Sequence, residues 1–115
     1  MPRSRRMTRA AEFAKVKAQG TAKGGRFVVV SILADESLGS EIKVGFITTR
    51  KLGNAVVRNR VRRRLRAIAR EIGGRLKPGH YIVTIARHTA PEAEFAALKA
   101  DWLRAAERCG ALVAD

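Results

Sequence analysis

Between Arg50 and Arg70 the chain carries nine basic residues and no acid: Arg50, Lys51, Arg58, Arg60, Arg62, Arg63, Arg64, Arg66 and Arg70. The acid-free stretch runs from Ile42 to Arg70. All but one of the nine are arginine, whose planar fork of donors suits bidentate phosphate contact and stacking on bases. A solvated helix face normally mixes charge signs, because opposite charges four residues apart support a helix and like charges oppose it. Here Arg58, Arg62 and Arg66 stack at four-residue spacing, as do Arg66 and Arg70, with no acid to relieve them. The cost to the helix is one that a polyphosphate partner would restore.

These arginines need a scaffold, and the intervening residues supply it. Val57, Val61, Leu65, Ile68 and Ile72 recur at helical spacing and fall within an arc of roughly 80° at about 100° per residue. Asn54 is placed to cap this helix, and Gly73-Gly74 to stop it. Arg58, Arg60, Arg62, Arg63, Arg66 and Arg70 then lie on the outer side. Arg64 lands at the edge of the apolar stripe and must snorkel.

Other chemistry is sparse. His80 and His88 flank a predicted strand without a carboxylate or nucleophile to orient them, so both read as non-catalytic. No phosphate-cradling glycine loop is present. The single cysteine, Cys109, can form no internal disulfide, has no metal-ligand cluster around it, and reads as a small core residue in a reducing, cytoplasmic compartment. No catalytic residue, metal site or protein-bound cofactor is expected.

The whole chain, residues 1–115, is expected to form one RNA-binding domain, with a basic arm over 1–7 and the arginine-rich motif and helix over 50–72. Its 46% hydrophobic content supports one modest core, and its net charge of +14 (24 Lys plus Arg against 10 Asp plus Glu) points to a polyanion. No apolar span or aromatic-rich amphipathic anchor favours a membrane. The basic start, Met1-Pro2-Arg3-Ser4-Arg5-Arg6, lacks the apolar stretch of a secretory signal. It reads as an arm laid on RNA, with a mitochondrial targeting arm as the alternative.

Along the chain, the patterning predicts a helix over 8–19 capped by Thr8 and ended by Gly20, then a loop over 21–25. Strands are predicted over 27–33 and 43–49, as a hairpin pair across an exposed acidic turn at 34–41. The arginine helix follows, then a turn at Pro78-Gly79 and a strand over 81–86. A last helix opens from a capping box at Thr89–Glu92 and carries Phe95, Leu98, Trp102, Ala106 and Cys109 inward. The fold class is α/β, an α+β sandwich with one small sheet of three or four strands packed on helices, in the order α-β-β-(β)-α-β-α. The bracketed strand is a short extra one within a loop.

The segment Lys51-Leu52-Gly53-Asn54-Ala55-Val56-Val57-Arg58-Asn59-Arg60-Val61-Arg62-Arg63-Arg64-Leu65-Arg66 resembles the signature of the bacterial ribonuclease P protein family. The strand Val44-Gly45-Phe46 and the opening Arg9, Glu12-Phe13, Val16 and Gly20 fit the same pattern, so the resemblance runs from about residue 5 to residue 108. It implies a protein subunit of ribonuclease P, in which a large RNA performs catalysis with Mg²⁺. The partners implied are that RNA and precursor tRNA, with no obligate protein partner. It implies RNA contact by Lys51, Gly53, Asn54, Arg58, Asn59, Arg60, Arg62, Arg63 and Arg66, and the unrelieved run of charge adds Arg50 and Arg70 to the expected RNA-binding set. Gly53 can also be read as a turn glycine, and Asn54 as only the helix cap.

The resemblance further implies a cleft for the single-stranded 5′ leader, assigned to Phe13, Lys17, Phe27 and Val30. Phe13 can also be read as a core residue packing the first helix on the sheet. Lys17 and Val30 stand where relatives carry aromatics, so leader binding is expected to lean on charge more than on stacking, and Val30→Tyr is expected to be tolerated. A left-handed crossover from the strand before the arginine helix to a parallel strand after it is implied by the family alone, since general chirality favours the right-handed form. A ribosomal-type structural RNA-binding protein is the main alternative. A DNA-binding protein would need base-reading side chains on its helix, and a stand-alone nuclease would need a carboxylate cluster.

Overall fold

A computed structural model of the chain describes residues 6–113. Helix α1 (Ala10–Gln19) leads into strands β1 (Thr21–Gly24) and β2 (Val28–Ala34). Strand β3 (Ile42–Ile47), helix α2 (Ala55–Ile72), strand β4 (His80–Ala86) and helix α3 (Phe95–Cys109) follow. The single sheet has the order β1-β2-β4-β3, with β3 and β4 parallel and the other pairs antiparallel. The α2 crossover therefore joins neighbouring parallel strands.

Alternation along the strands sends side chains to two different covers. Val28 and Val30 of β2, Val44 of β3 and Ile82 of β4 meet Val61, Leu65 and Ile68 of α2 and Leu98 and Trp102 of α3 in the main core. Tyr81, Val83 and Ile85 of β4 and Ile47 of β3 face the other way, toward Met7, Phe13 and Val16. Trp102 donates its indole N–H to Thr84 Oγ1 at 2.8 Å, which satisfies both buried polar groups.

The α2 prediction holds. Asn54 Oδ1 accepts the Val57 N–H at 3.0 Å, and Val61, Leu65, Ile68 and Ile72 are buried. Four other expectations are corrected. The 21–25 loop is mostly strand β1, the extra strand, exposed along its whole length at the sheet edge. Strands β2 and β3 are not a hairpin, because β4 lies between them. Helix α1 begins at Ala10 with Arg9 rather than Thr8 at its cap, where the Glu12 carboxylate accepts the Arg9 N–H at 3.3 Å. The Thr89 hydroxyl donates to the Arg26 carbonyl at 2.6 Å instead of capping, so residues Ala90–Glu92 form a 3₁₀ turn and α3 starts only at Phe95.

Two close approaches fix how α1 sits. A Cβ on Gly20 would lie 2.5 Å from the Val16 carbonyl oxygen and 2.7 Å from that of Ile32, so only glycine lets the end of α1 run directly onto β2. A Cβ on Gly45 would lie 2.6 Å from Phe13 Cε1 and 2.9 Å from Met7 Sδ, so Phe13 rests on bare backbone of β3. Lys15 adds an exposed tie, its Nζ 2.6 Å from Asp35 Oδ2. That hydrogen bond, with others from Ser37, holds the Asp35 carboxyl down to about 2.

Candidate nucleic-acid interface

The arginine surface starts from the helix register. With the Val61-Leu65-Ile68-Ile72 stripe sealed against the sheet, Arg60, Arg63 and Arg70 are exposed, and Arg58, Arg62, Arg64 and Arg66 are half-buried. Among the described residues, the side chains of Arg58, Arg63 and Arg70 have no hydrogen-bond or ion-pair partner, and neither do those of Arg50 and Lys51. Arg66 has none either, whereas Arg60, Arg62 and Arg64 are partly committed to the fold. Arg62 donates to Thr48 Oγ1 at 2.5 Å and to Asn59 Oδ1 at 3.1 Å. Arg60 donates to the Pro91 carbonyl at 3.2 Å, and Arg64 snorkels to that of Ala93 at 2.7 Å.

Gly53 and Asn54 have structural work of their own. Gly53 has φ +140°, in the region that favours glycine, and turns the 3₁₀ segment Arg50–Leu52 into α2. Asn54 is the helix cap. Both facts explain the residue types.

Arg62 and Arg66 also line a polar hollow of about 240 Å³ with Arg6, Met7, Phe13, Val44, Gly45 and Phe46. Arg6 reaches this place because it forms a parallel bridge to Val44, and Met7 N–H donates to the Val44 carbonyl at 2.9 Å. Burial first, then the like charges of Arg6 and Arg62, push the Arg66 guanidinium down from its ordinary pKa. Three guanidinium groups held together without an acid form a site whose repulsion an anion relieves. Residues 1–5 of the predicted basic arm lie outside the described residues.

On the far face of the sheet, α1 leaves an apolar groove of about 390 Å³. Its walls come from Phe13, Val16 and Lys17 of α1, and its floor from Ser31, Val83, Ile85 and Ile47, one or two residues from each of three strands. Phe13 and Lys17 are therefore in the groove, and Phe13 also packs against the sheet, so both readings of that ring describe it. Val30 and Phe27 are corrections. Val30 is fully buried against the α2 and α3 side, and Phe27 packs on that same core with the Arg26 guanidinium 5.3 Å from its ring centre. A shift of one residue along β2 changes the face, so Ser31 holds the place that Val30 was given.

One polar residue escaped the sequence reading. Asp101, on the inward side of α3, is 2% exposed and accepts the N–H groups of Arg26, Phe27 and Val28 at 2.8, 2.9 and 3.1 Å. Gly25 has no room for a Cβ beside this carboxylate. An acid at an inward register between Leu98 and Trp102 was the available signal, since a buried carboxylate needs donors. Among the described residues no group of three or more His, Cys, Asp or Glu side chains could hold a metal ion, and no helix is long and apolar enough to cross a membrane.

Comparison with known proteins gives one answer at every level. The family model described as Ribonuclease P matches residues 1–110. A ribonuclease P protein component from Symbiobacterium thermophilum is 40% identical over 112 residues, covering 97% of this chain and 96% of that one. Its namesake from a Nocardioides species is 38% identical over 109 residues, covering 94% and 93%. Among solved structures, the Staphylococcus aureus RNase P protein superposes with a TM-score of 0.87 at 21% identity, covering 95% of this chain and 98% of that one. The RNase P protein of Thermotoga maritima gives 0.80 at 24% identity, covering 90% and 96%. These two share the fold, and the sequence relatives carry the family assignment over the ribosomal and DNA-binding alternatives. The chain belongs to the ribonuclease P protein family.

Proposed function

We propose a division of labour for this subunit of ribonuclease P, the enzyme that processes tRNA 5′ ends. The outer surface of α2, with Arg50 and Lys51 before it, binds the RNA subunit, and the groove beneath α1 binds the 5′ leader of precursor tRNA. One observation carries the reading: Phe13 lines both the apolar groove and the hollow that holds Arg6, Arg62 and Arg66. The groove thus leads onto the arginine surface, and one RNA-bound face can present both.

The two parts suit different chemistry. Arginines without protein partners exchange counterions for phosphates, which gives affinity without sequence reading. The groove offers an apolar floor for bases or riboses and a cation, Lys17, at its wall, the combination that single strands use. It has one aromatic ring rather than several, so the grip on the leader leans on charge. Catalysis belongs to the RNA subunit and its Mg²⁺, with this chain neutralising phosphates and placing the leader. A reducing cytoplasm suits its buried free thiol, Cys109.

The reading is tested by mixing the purified chain with a ribonuclease P RNA and precursor tRNA at low Mg²⁺. Cleavage at the leader junction should rise above that of the RNA alone, with none from the protein alone. Cleavage by the protein alone, or no stimulation of the RNA, would contradict it.

A further inference from the structure

The sheet face that floors the groove carries a second cation, just past the groove's own lining, that the family resemblance does not point to. Along β4 the groove floor is built by Val83 and Ile85, and the residue two further on is Arg87. Side chains two apart share a face while the ladder lasts. It lasts through this residue, because Arg87 N–H donates to the Phe27 carbonyl at 2.8 Å. The guanidinium confirms the side. Arg87 Nη1 would lie 3.5 Å from a Cβ on Gly24, and Val29 Cγ2 would lie 3.6 Å from the same point. Val29 is the β2 partner of Ile85 in the groove floor.

Arg87 is exposed, yet it is not a loose surface arginine. Its Nη1 donates to the Gly25 carbonyl at 3.3 Å, which uses one of five donors. The turn it leans on is itself fixed by the three hydrogen bonds to buried Asp101 and by the Thr89 hydroxyl on the Arg26 carbonyl. With glycine at position 24, β1 puts no side chain beside the guanidinium, which lies next to Val29 on the same face. Lys17 is on the α1 wall, and Arg87 follows the end of β4 one alternation past Ile85, so cations from two different elements stand at the groove and just beyond it.

We propose that Arg87 is a leader-binding residue, which holds a phosphodiester group of the 5′ leader just beyond the groove. This rests on the reading of the groove as the leader site. A strand crossing the floor can turn its bases or riboses to Ile85, Val83 and Ile47, and its phosphates to Lys17 at the groove and Arg87 just beyond it. An anchored guanidinium gives a charge-assisted contact with little further ordering.

The test uses holoenzyme reconstituted with wild-type protein, Arg87→Ala, Arg87→Gln or Lys17→Ala. Affinity is measured for mature tRNA and for precursors whose leaders carry single neutral methylphosphonate linkages between deoxynucleotides. Arg87→Ala should weaken precursor binding about three- to tenfold and leave mature tRNA unchanged. In the wild type, one leader linkage should lose a similar factor when neutralised, and that linkage should be silent in both Arg87 variants. Arg87→Gln keeps a donor for the Gly25 carbonyl, so its loss reports the charge and not the turn. Equal weakening of precursor and mature tRNA would overturn the proposal, as would a neutralised linkage that stays costly in both Arg87 variants. If Lys17→Ala alone weakens the precursor selectively, the groove reading stands and Arg87 fails. If neither variant is selective for the precursor, both fail.

Discussion

The two faces of the sheet are built from the same strands and finished differently. On one face, α2 and α3 close over Val28, Val30, Val44 and Ile82, and the largest side chains there, Trp102, Leu65 and Ile68, are at most 1% exposed. On the other, a single helix of 10 residues, ended by Gly20 and seated through Phe13 on Gly45, leaves Ile47 and Ile85 half-covered. A small domain gains its stability from one well-sealed core. The second face can then stay open, with an apolar floor available to a ligand. The arginine helix takes part in both: its inner stripe seals the closed face, and Arg62 and Arg66 reach the hollow beside the open one.

That contrast is broken most severely from the closed side. Leu65→Ala removes a fully buried side chain from the α2 stripe and should cost about 2–5 kcal/mol in denaturant unfolding. For a domain of this size that is a large share of the total. An unchanged midpoint would mean that α2 does not seal this face. Val30→Tyr is next: with Val30 fully buried, the added ring should overpack the core and cost about 1–3 kcal/mol, read as a fall in Tm. Val29→Tyr, one residue away on the open face, should move Tm far less. Equal tolerance at both positions would erase the distinction between the faces.

These substitutions also mark what could be read from the sequence. Helix α2 was legible because its signals are local: a cap at Asn54, a stripe at helical spacing and a glycine stop. Strand order was not, because the insertion of β4 between β2 and β3 is a long-range choice that no local pattern records. Strand β1 was hidden for another reason: Thr21–Gly24 is exposed at the sheet edge, so it carries no apolar alternation. At the interface, the arginine surface could be read directly from residue types and spacing. The groove was known only through the family, and in a strand an assignment wrong by one residue lands on the opposite face, as it did at Val30. Asp101 was passed over because its partners are the backbone N–H groups of residues more than seventy positions away.

The open face sharpens the comparison through smaller effects. Lys17→Ala should leave Tm nearly unchanged, because Lys17 is exposed. It should weaken holoenzyme affinity for precursor tRNA by a few-fold at low salt, and the loss should shrink as salt rises, since screening already removes that contribution. An equal loss for mature tRNA, which has no leader, would place Lys17 outside the leader path.

The account's central claim is that the outer arginines of α2 bind RNA without supporting the fold. Arg58, Arg63 and Arg70 test it most cleanly, because none has a side-chain partner among the described residues. The measurement is affinity for the ribonuclease P RNA across a salt series, with a melting curve for each protein. The account predicts that Arg63→Ala weakens binding, makes the log–log salt slope shallower by about one unit, and leaves Tm in place. A sharp fall in Tm with unchanged RNA affinity would contradict it.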